Sequence, residues 1–180
     1  MRKTLGVSQT QNRCTAKLLR GTVHVPVSLK EILEGMAFQS DEVTAYLHRP
    51  TGRVLSVSDE ALQAAEEGAG AEAGVEEFEL ADARGILEAG DDYLPLPDRF
   101  EIDEYRMMER FAAGVADPAV RAELEDALRG RGAFRRFKDA VRGFGLAEQW
   151  YRHRDRGYEE VARDWCEAHG LVVDPPAADA

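Results

Sequence analysis

The chain has 180 residues, an apolar fraction of 44% and a formal net charge of −11, which suits one folded domain and excludes a disordered chain. No segment approaches the roughly 18 consecutive apolar residues of a membrane-spanning helix, and the N-terminal residues lack the apolar core of a secretory signal, so we expect no membrane contact. The two cysteines, Cys14 and Cys166, lie far apart, which indicates free thiols in a reducing, cytoplasmic compartment.

The N-terminal part of the chain is predicted to be a tail followed by a helix. Residues 1–22 carry bases but no acids and show no periodicity, which predicts a flexible basic tail. Val23–Val27 is a short apolar run with the form of an edge strand, since Pro26 interrupts it. Ser28–Glu31 has the form of a capping box, so a helix is expected to begin after Ser28.

A β-hairpin is predicted over about residues 43–57. Val43–His48 and Arg53–Val57 are short runs of β-forming residues, and Gly52 in the turn between them is free to take a positive φ. Helices are expected at residues 59–67 and at about 76–88, on either side of a low-complexity loop of Ala, Glu and Gly.

An extended segment and then four helices are predicted for the rest of the chain. Each residue that precedes a proline in Tyr93–Pro97 is held out of the α region, so this segment is expected to be extended. The first helix follows Asp98–Glu101, and Asp117, which a proline follows, starts the second. The last helix covers about Ala147–His169, with Arg154 on its apolar face, where we expect it either to form a salt bridge or to extend its charged end to solvent.

These elements predict an α+β fold with a small antiparallel β-sheet and a helical C-terminal half. A single globular domain is expected over residues 23–172. Residues 173–180 are expected to be a disordered C-terminal tail.

Charge is strongly segregated along the chain. Residues 31–126 carry seven bases and twenty-five acids, whereas residues 127–156 carry nine bases and three acids. The basic segment is either a local surface for an anionic partner or one of two oppositely charged faces that neutralise each other inside the fold.

The segment Arg129–Arg142, called the basic turn-helix below, has the composition of a binding surface. Gly130 and Gly132 break the preceding helix and let the backbone approach a ligand closely, and the amides at the start of the next helix favour anions. Together these features would suit a phosphate of nucleic acid or of a small ligand. The candidate anion-binding residues are Arg129, Arg131, Arg135, Lys138 and Arg142.

The same segment also has a structural interpretation. It matches neither a Walker loop nor a dinucleotide-binding fingerprint, because no Gly-Lys-Ser/Thr closes it and no strand precedes it. Arg135 can pair with Asp139 four residues on. Phe134, Phe137 and Phe144 share one helical face, so all three are predicted to lie in the core.

Four carboxylates, Asp98, Glu101, Asp103 and Glu104, form the densest acidic group next to a loop. Such a group could divide acid and base roles, favour a helix N-terminus or pair with the arginines across the fold. We predict no metal site and no cofactor, because no known catalytic or ligand spacing is present. His153 is expected on the polar side of the last helix.

Several motifs occur in a fixed order along the chain: Phe38–Glu42, Tyr93–Asp98, Glu104-Tyr105, Met108-Glu109, Leu128–Asp139, Trp150-Tyr151 and Asp164–Cys166. Together they resemble the motifs of a bacterial uncharacterised protein family, one of the UPF families of small cytosolic proteins. The resemblance spans about residues 27–170 and implies a common fold, but it brings no activity, substrate or catalytic residue.

The sequence therefore predicts a cytoplasmic, non-catalytic binding or regulatory protein that contacts an anionic partner through the basic turn-helix. The partner would be nucleic acid, a nucleotide or an acidic protein patch. One alternative is a small hydrolase or metal-dependent enzyme that uses the Asp98–Glu104 carboxylates. Another is a structural protein whose arginines are latched in internal salt bridges. Exposure of the arginines discriminates among these hypotheses.

Overall fold

The computed structural model describes residues 26–68 and 74–174, and within these ranges it has eight α-helices and one three-stranded sheet. A short 3-10 turn at Gly90–Asp92 precedes the third strand. The elements in chain order are α1 (Leu29–Phe38), β1 (Val43–His48), β2 (Arg53–Ser58), α2 (Asp59–Glu66), α3 (Glu77–Glu88), β3 (Tyr93–Pro95), α4 (Arg99–Ile102), α5 (Glu104–Gly114), α6 (Pro118–Ala127), α7 (Ala133–Gly143) and α8 (Ala147–Ala168).

The fold is α+β with a helical C-terminal half, as the sequence predicted. The sheet is antiparallel in the order β2-β1-β3, and the predicted hairpin forms its first two strands. Gly52 takes φ 72° in the hairpin turn, and its amide donates to the carbonyl of His48 at 2.8 Å. The predicted extended segment supplies the third strand, where Pro95 is tolerated because an edge strand can lack one amide donor.

The sheet separates two hydrophobic clusters. On one face, Ala45 and Leu47 of β1 contribute to the main core, which the C-terminal helices and α1 complete. On the other face, Leu55 and Val57 of β2 pack with Ala61 of α2 and with α3 in a smaller cluster. This arrangement explains why β1 has no fully exposed residue.

Aromatic rings organise the main core between α5, α7 and α8. Phe137 and Trp150 pack edge to face at 5.0 Å between ring centroids, and Phe111 packs edge-on against both of them. Phe137 and Trp150 are almost completely buried, so this cluster fixes α7 against α5 and α8.

The two ends of the described chain meet. The amide of Val27 donates to the carbonyl of Val172, and the amide of Asp174 donates to the carbonyl of Val27, each at 2.9 Å. Val27 and Val173 thus form an isolated parallel bridge. The predicted basic tail at residues 1–22, residues 23–25 of the predicted edge strand and residues 175–180 of the predicted C-terminal tail lie outside the described residues, as does part of the low-complexity loop.

Within the described ranges, every helix is either too short or too polar to cross a bilayer.

Candidate functional site

The basic turn-helix is a tight turn that leads into α7. Gly130 and Gly132 both have positive φ, 74° and 76°, which reverses the chain direction after α6 at no side-chain cost. The hydroxyl of Tyr105 on α5 donates to the carbonyl of Leu128 at 2.8 Å and fastens the start of the turn. The start of the turn is therefore anchored to α5, while Arg129 and Arg131 of the turn are exposed to solvent.

The arginines of this surface are exposed and only loosely paired. Arg135 is 91% exposed, and its Nε lies 3.9 Å from Oδ2 of Asp139. Arg142 approaches Oδ1 of the same carboxylate at 3.5 Å, and Arg129 lies 3.5 Å from Asp126. Exposed pairs of this kind contribute about 0–1 kcal/mol, so they do not hold the guanidinium groups away from a competing anion.

Arg131 lies on the turn itself and has no carboxylate partner in the part of the chain that the structure describes. A sixth cation, Arg136, was not among the predicted residues. Its guanidinium donates to the carbonyl of Arg129, so it ties α7 back onto the turn. Arg136 therefore has a structural role, which depends on the geometry of the turn.

Lys138 differs from the arginines. Its side chain is 40% exposed, and its Nζ lies 3.9 Å from Oε1 of Glu104 on α5. Of the predicted acidic residues, Glu104 is the one that pairs with the predicted cations in the described ranges.

The other three predicted carboxylates cap helices. Asp98 accepts the amides of Phe100 at 2.7 Å and Glu101 at 3.0 Å, and Glu101 returns the contact by accepting the amide of Asp98. Asp103 has φ 47° and accepts the amide of Arg106, so it ends α4 and starts α5. These roles match the helix-terminus interpretation of the group.

The described residues hold no group of three or more His, Cys, Asp or Glu side chains that could bind a metal ion.

Glu104 lies in a partly buried cluster with two residues of α8. Its Oε1 is buried and lacks a hydrogen-bond partner among the described residues. Burial, and then the charge of Glu104, raise the pKa of the Tyr158 phenol, while Arg154 acts in the opposite direction. Burial alone would lower the pKa of Arg154. The hydrogen bond of Arg154 with Asp155 and the charge of Glu104 outweigh burial, so the pKa of Arg154 is raised.

The salt bridge predicted for Arg154 is confirmed, with Asp155 as its partner. Its Nη2 donates to Oδ1 of Asp155 at 2.8 Å, and its guanidinium lies over the rings of Tyr151 and Tyr158. The charge is therefore satisfied beside the apolar face of α8.

The prediction that all three phenylalanines of α7 and its end lie in the core was wrong. Phe137 is buried, but Phe134 is 45% exposed and Phe144 is 43% exposed. Phe134 stands at the first turn of α7, and Phe144 follows its last residue, so neither is enclosed by the helices that cover Phe137. Phe134 lines a cavity of about 570 Å³ with Tyr105 and Glu104.

Phe144 lines a larger cavity, of about 680 Å³, that sequence reasoning missed. This space, called the arginine cavity below, lies between the C-terminal half of α5, the α5–α6 connection and the N-terminal half of α8. The spacing of Arg152 and Arg156 on one helix face was visible in the sequence, but their proximity to α5 depends on helix packing. The residues that define the cavity are Arg110, Phe111, Phe144, Arg152, His153 and Arg156.

The expectation that His153 lies on the polar side of α8 was also wrong. Its ring packs 5.6 Å from the ring centroid of Phe111 and 6.1 Å from that of Trp150. The helix places it at the border of the aromatic cluster because α5 covers that side of α8.

One comparison with known proteins gives a match. The model of an uncharacterised protein family, UPF0158, matches residues 24–173. No curated protein and no solved structure matches the chain. The resemblance to a UPF family that the motifs indicated is thereby confirmed.

Proposed function

The chain belongs to the uncharacterised protein family UPF0158, and we propose that it is a non-catalytic protein that binds the phosphate backbone of nucleic acid through its basic turn-helix. The observation that carries this proposal is the exposure of Arg129, Arg135 and Arg142, whose nearest carboxylates lie 3.5–3.9 Å away on the same or the adjoining helix. A phosphate can displace such contacts at low cost.

The start of α7 favours phosphate over the carboxylates of an acidic protein patch. Gly132 is the N-cap residue and provides no side-chain acceptor, so the first amides of α7 lack a capping partner. Arg131 stands beside these amides on the turn. Free amides, the positive end of a helix dipole and planar guanidinium groups match the three-oxygen face of a phosphate.

The contact would act at short range. The whole chain carries a net charge of −11, so long-range attraction to nucleic acid is absent. At physiological salt the acidic regions are screened beyond about 8 Å, which leaves the local surface to decide binding. We therefore expect modest affinity with a strong dependence on salt concentration.

The alternative that the cations of the basic turn-helix are held in internal salt bridges is supported by a single contact in the described ranges. Lys138 pairs with Glu104 across the fold, whereas in the described ranges each arginine pair joins residues three or four positions apart. We therefore assign Lys138 to the structure and the exposed arginines to binding.

The test measures binding of a fluorescent RNA oligonucleotide and retention on heparin by the full-length protein. Arg135→Glu combined with Arg142→Glu is expected to abolish both while leaving the melting temperature nearly unchanged. The matched control is Arg49→Glu with Arg53→Glu, which makes the same charge change on two exposed residues at the hairpin turn.

Equal loss in both double variants would show that net charge alone governs retention and would contradict the proposal. Binding of an acidic protein such as a polyglutamate peptide, with no binding of RNA, would replace nucleic acid by a carboxylate partner. For the wild-type protein, log K should fall steeply and linearly with log salt concentration, and a flat dependence would contradict a phosphate contact.

A further inference from the structure

The arginine cavity is a second cationic site, and it lies apart from the basic turn-helix. Its volume of about 680 Å³ is typical of a pocket for a small organic ligand. Its walls come from α5, the α5–α6 connection and α8, while Phe144 closes one side after the end of α7. Three secondary-structure elements thus converge on one space.

The cavity carries an excess of positive charge. In the described ranges, neither Arg110 nor Arg156 has a carboxylate partner, and Arg156 uses only its Nε, which donates to the carbonyl of Arg152 at 3.2 Å. Arg152 lies 3.7 Å from Glu148, a pair in which both side chains are mostly exposed. Such a loose contact leaves the guanidinium of Arg152 available.

The acid in the cavity wall is already engaged. Oδ1 of Asp117 accepts the amide of Ala119 at 2.8 Å and that of Val120 at 3.3 Å as the N-cap of α6. Its carboxylate therefore serves the helix rather than the arginines. Against the three guanidinium groups of Arg110, Arg152 and Arg156, this single carboxylate leaves the cavity lining with a net positive charge.

Apart from Gln149 and His153, the remaining surface is apolar or aromatic. Val115, Val120 and Leu146 line the cavity beside the rings of Phe111 and Phe144. The His153 ring packs against Phe111, and its nitrogens have no hydrogen-bond partner among the described residues. A ligand that fills this space must therefore combine a strongly anionic group with a ring or other apolar body.

We propose that the arginine cavity binds a small phosphomonoester with an aromatic body, of the class of a nucleoside monophosphate. The phosphate contacts the guanidinium groups of Arg110, Arg152 and Arg156, whose planar forks suit a dianion. The aromatic body packs between Phe144 and the apolar wall. Inorganic phosphate would make no contact with that apolar wall, and an uncharged nucleoside would offer the three guanidinium groups no anionic partner.

The experiment is isothermal titration calorimetry of the full-length protein with adenosine monophosphate, adenosine and inorganic phosphate. Adenosine monophosphate is expected to bind at least tenfold more tightly than either of its parts. Arg110→Ala and Arg152→Ala are each expected to weaken this binding on the order of tenfold or more, because each removes a charge-assisted contact. Phe144→Ala should weaken adenosine monophosphate and leave the affinity for inorganic phosphate unchanged.

Two controls separate this site from the basic turn-helix. Arg163→Ala removes an exposed arginine of α8 that pairs with Glu159 outside the cavity, and it should not change the affinity. Arg135→Glu with Arg142→Glu should abolish RNA binding without affecting adenosine monophosphate. Circular dichroism identifies any variant that fails to fold, and Arg110→Lys and Arg152→Lys then take its place, with the same weakening expected because lysine lacks the planar fork.

Absence of heat with adenosine monophosphate would overturn the proposal, as would equal losses in the Arg163→Ala control and the cavity variants. Equal affinity for inorganic phosphate and adenosine monophosphate would overturn the assignment of an aromatic body.

Discussion

Lys138 Nζ lies 3.9 Å from Glu104 Oε1, and in the described ranges this is the one ion pair that joins the basic turn-helix to α5. The Glu104 side chain is only 22% exposed, and the neighbouring arginines of the turn-helix do not reach it. The lysine therefore stabilises a partly buried carboxylate, while the arginines around it remain on the surface.

This contrast predicts different stability effects for two cations of the same helix. Lys138→Met is expected to lower the free energy of unfolding by about 1 kcal/mol, because Glu104 would lose its counter-charge in a half-buried position. Arg135→Met, at an exposed position, should change it by less than about 0.5 kcal/mol. Urea denaturation of both variants measures the difference. In a Glu104→Gln background the effect of Lys138→Met should largely disappear, and its persistence would contradict the pairing.

The Tyr158 phenol reports on the charge of Glu104. Because burial and then Glu104 raise the pKa of Tyr158, Glu104→Gln is expected to lower that pKa while leaving the contribution of burial in place. Carbon-13 NMR of labelled tyrosine rings follows each phenol during a pH titration. Tyr46 is an internal control, since burial and Asp59 raise its pKa and Glu104 does not contribute to that shift.

The same shift has a consequence for stability at alkaline pH. The folded state holds the Tyr158 proton more tightly than the unfolded state, whose pKa lies near 10. Its stabilising contribution is therefore complete below about pH 10 and is lost as the pH rises through the folded-state value. Glu104→Gln should make this alkaline loss smaller, and an unchanged or larger loss would contradict the assignment.

Gly157 lets α8 approach α5 closely. A Cβ atom at this position would lie 2.7 Å from Sδ of Met107, which is almost fully buried. Gly157→Ala is therefore expected to lower the free energy of unfolding by about 1–2 kcal/mol through overpacking, although alanine alone favours a helix by about 1 kcal/mol. Gly114→Ala, where nothing lies within 4 Å, should be neutral or slightly stabilising. Thermal melts should give a lower Tm for Gly157→Ala and an unchanged or slightly higher Tm for Gly114→Ala.

Cys166 is expected to be unreactive in the folded protein. The thiol lies in the main core, and burial raises its pKa against a smaller opposing influence of Arg163. In a Cys14→Ser variant, labelling by a disulfide reagent at neutral pH should be slow in buffer and fast in denaturant, because the thiolate is the reactive form. A native rate close to that of a free cysteine would contradict the buried position.

Local features of the fold were predictable because they depend on residues close in sequence. Asp117 accepts two amides within its own first turn, and Gly130 and Gly132 take positive φ as their lack of a side chain allows. The hairpin formed where β-forming residues flank a turn with Gly52. One local feature was missed: α4 begins at Arg99, ahead of the predicted helix, and Asp103 with φ 47° separates it from α5. Its left-handed conformation has no clear sequence signal, since aspartate takes it only occasionally.

The features of the candidate site also separate into those set by the local sequence and those set by helix packing. The sequence by itself determined the cationic composition of residues 129–142, the helix that carries them and the family to which the chain belongs. Only the tertiary structure decided which of these side chains remain exposed, that Lys138 meets Glu104, and that Phe144 and Arg110 line one cavity with Arg152. Backbone preferences and caps act within a few residues, whereas these contacts form only when α5, α7 and α8 pack around the Phe137–Trp150 core.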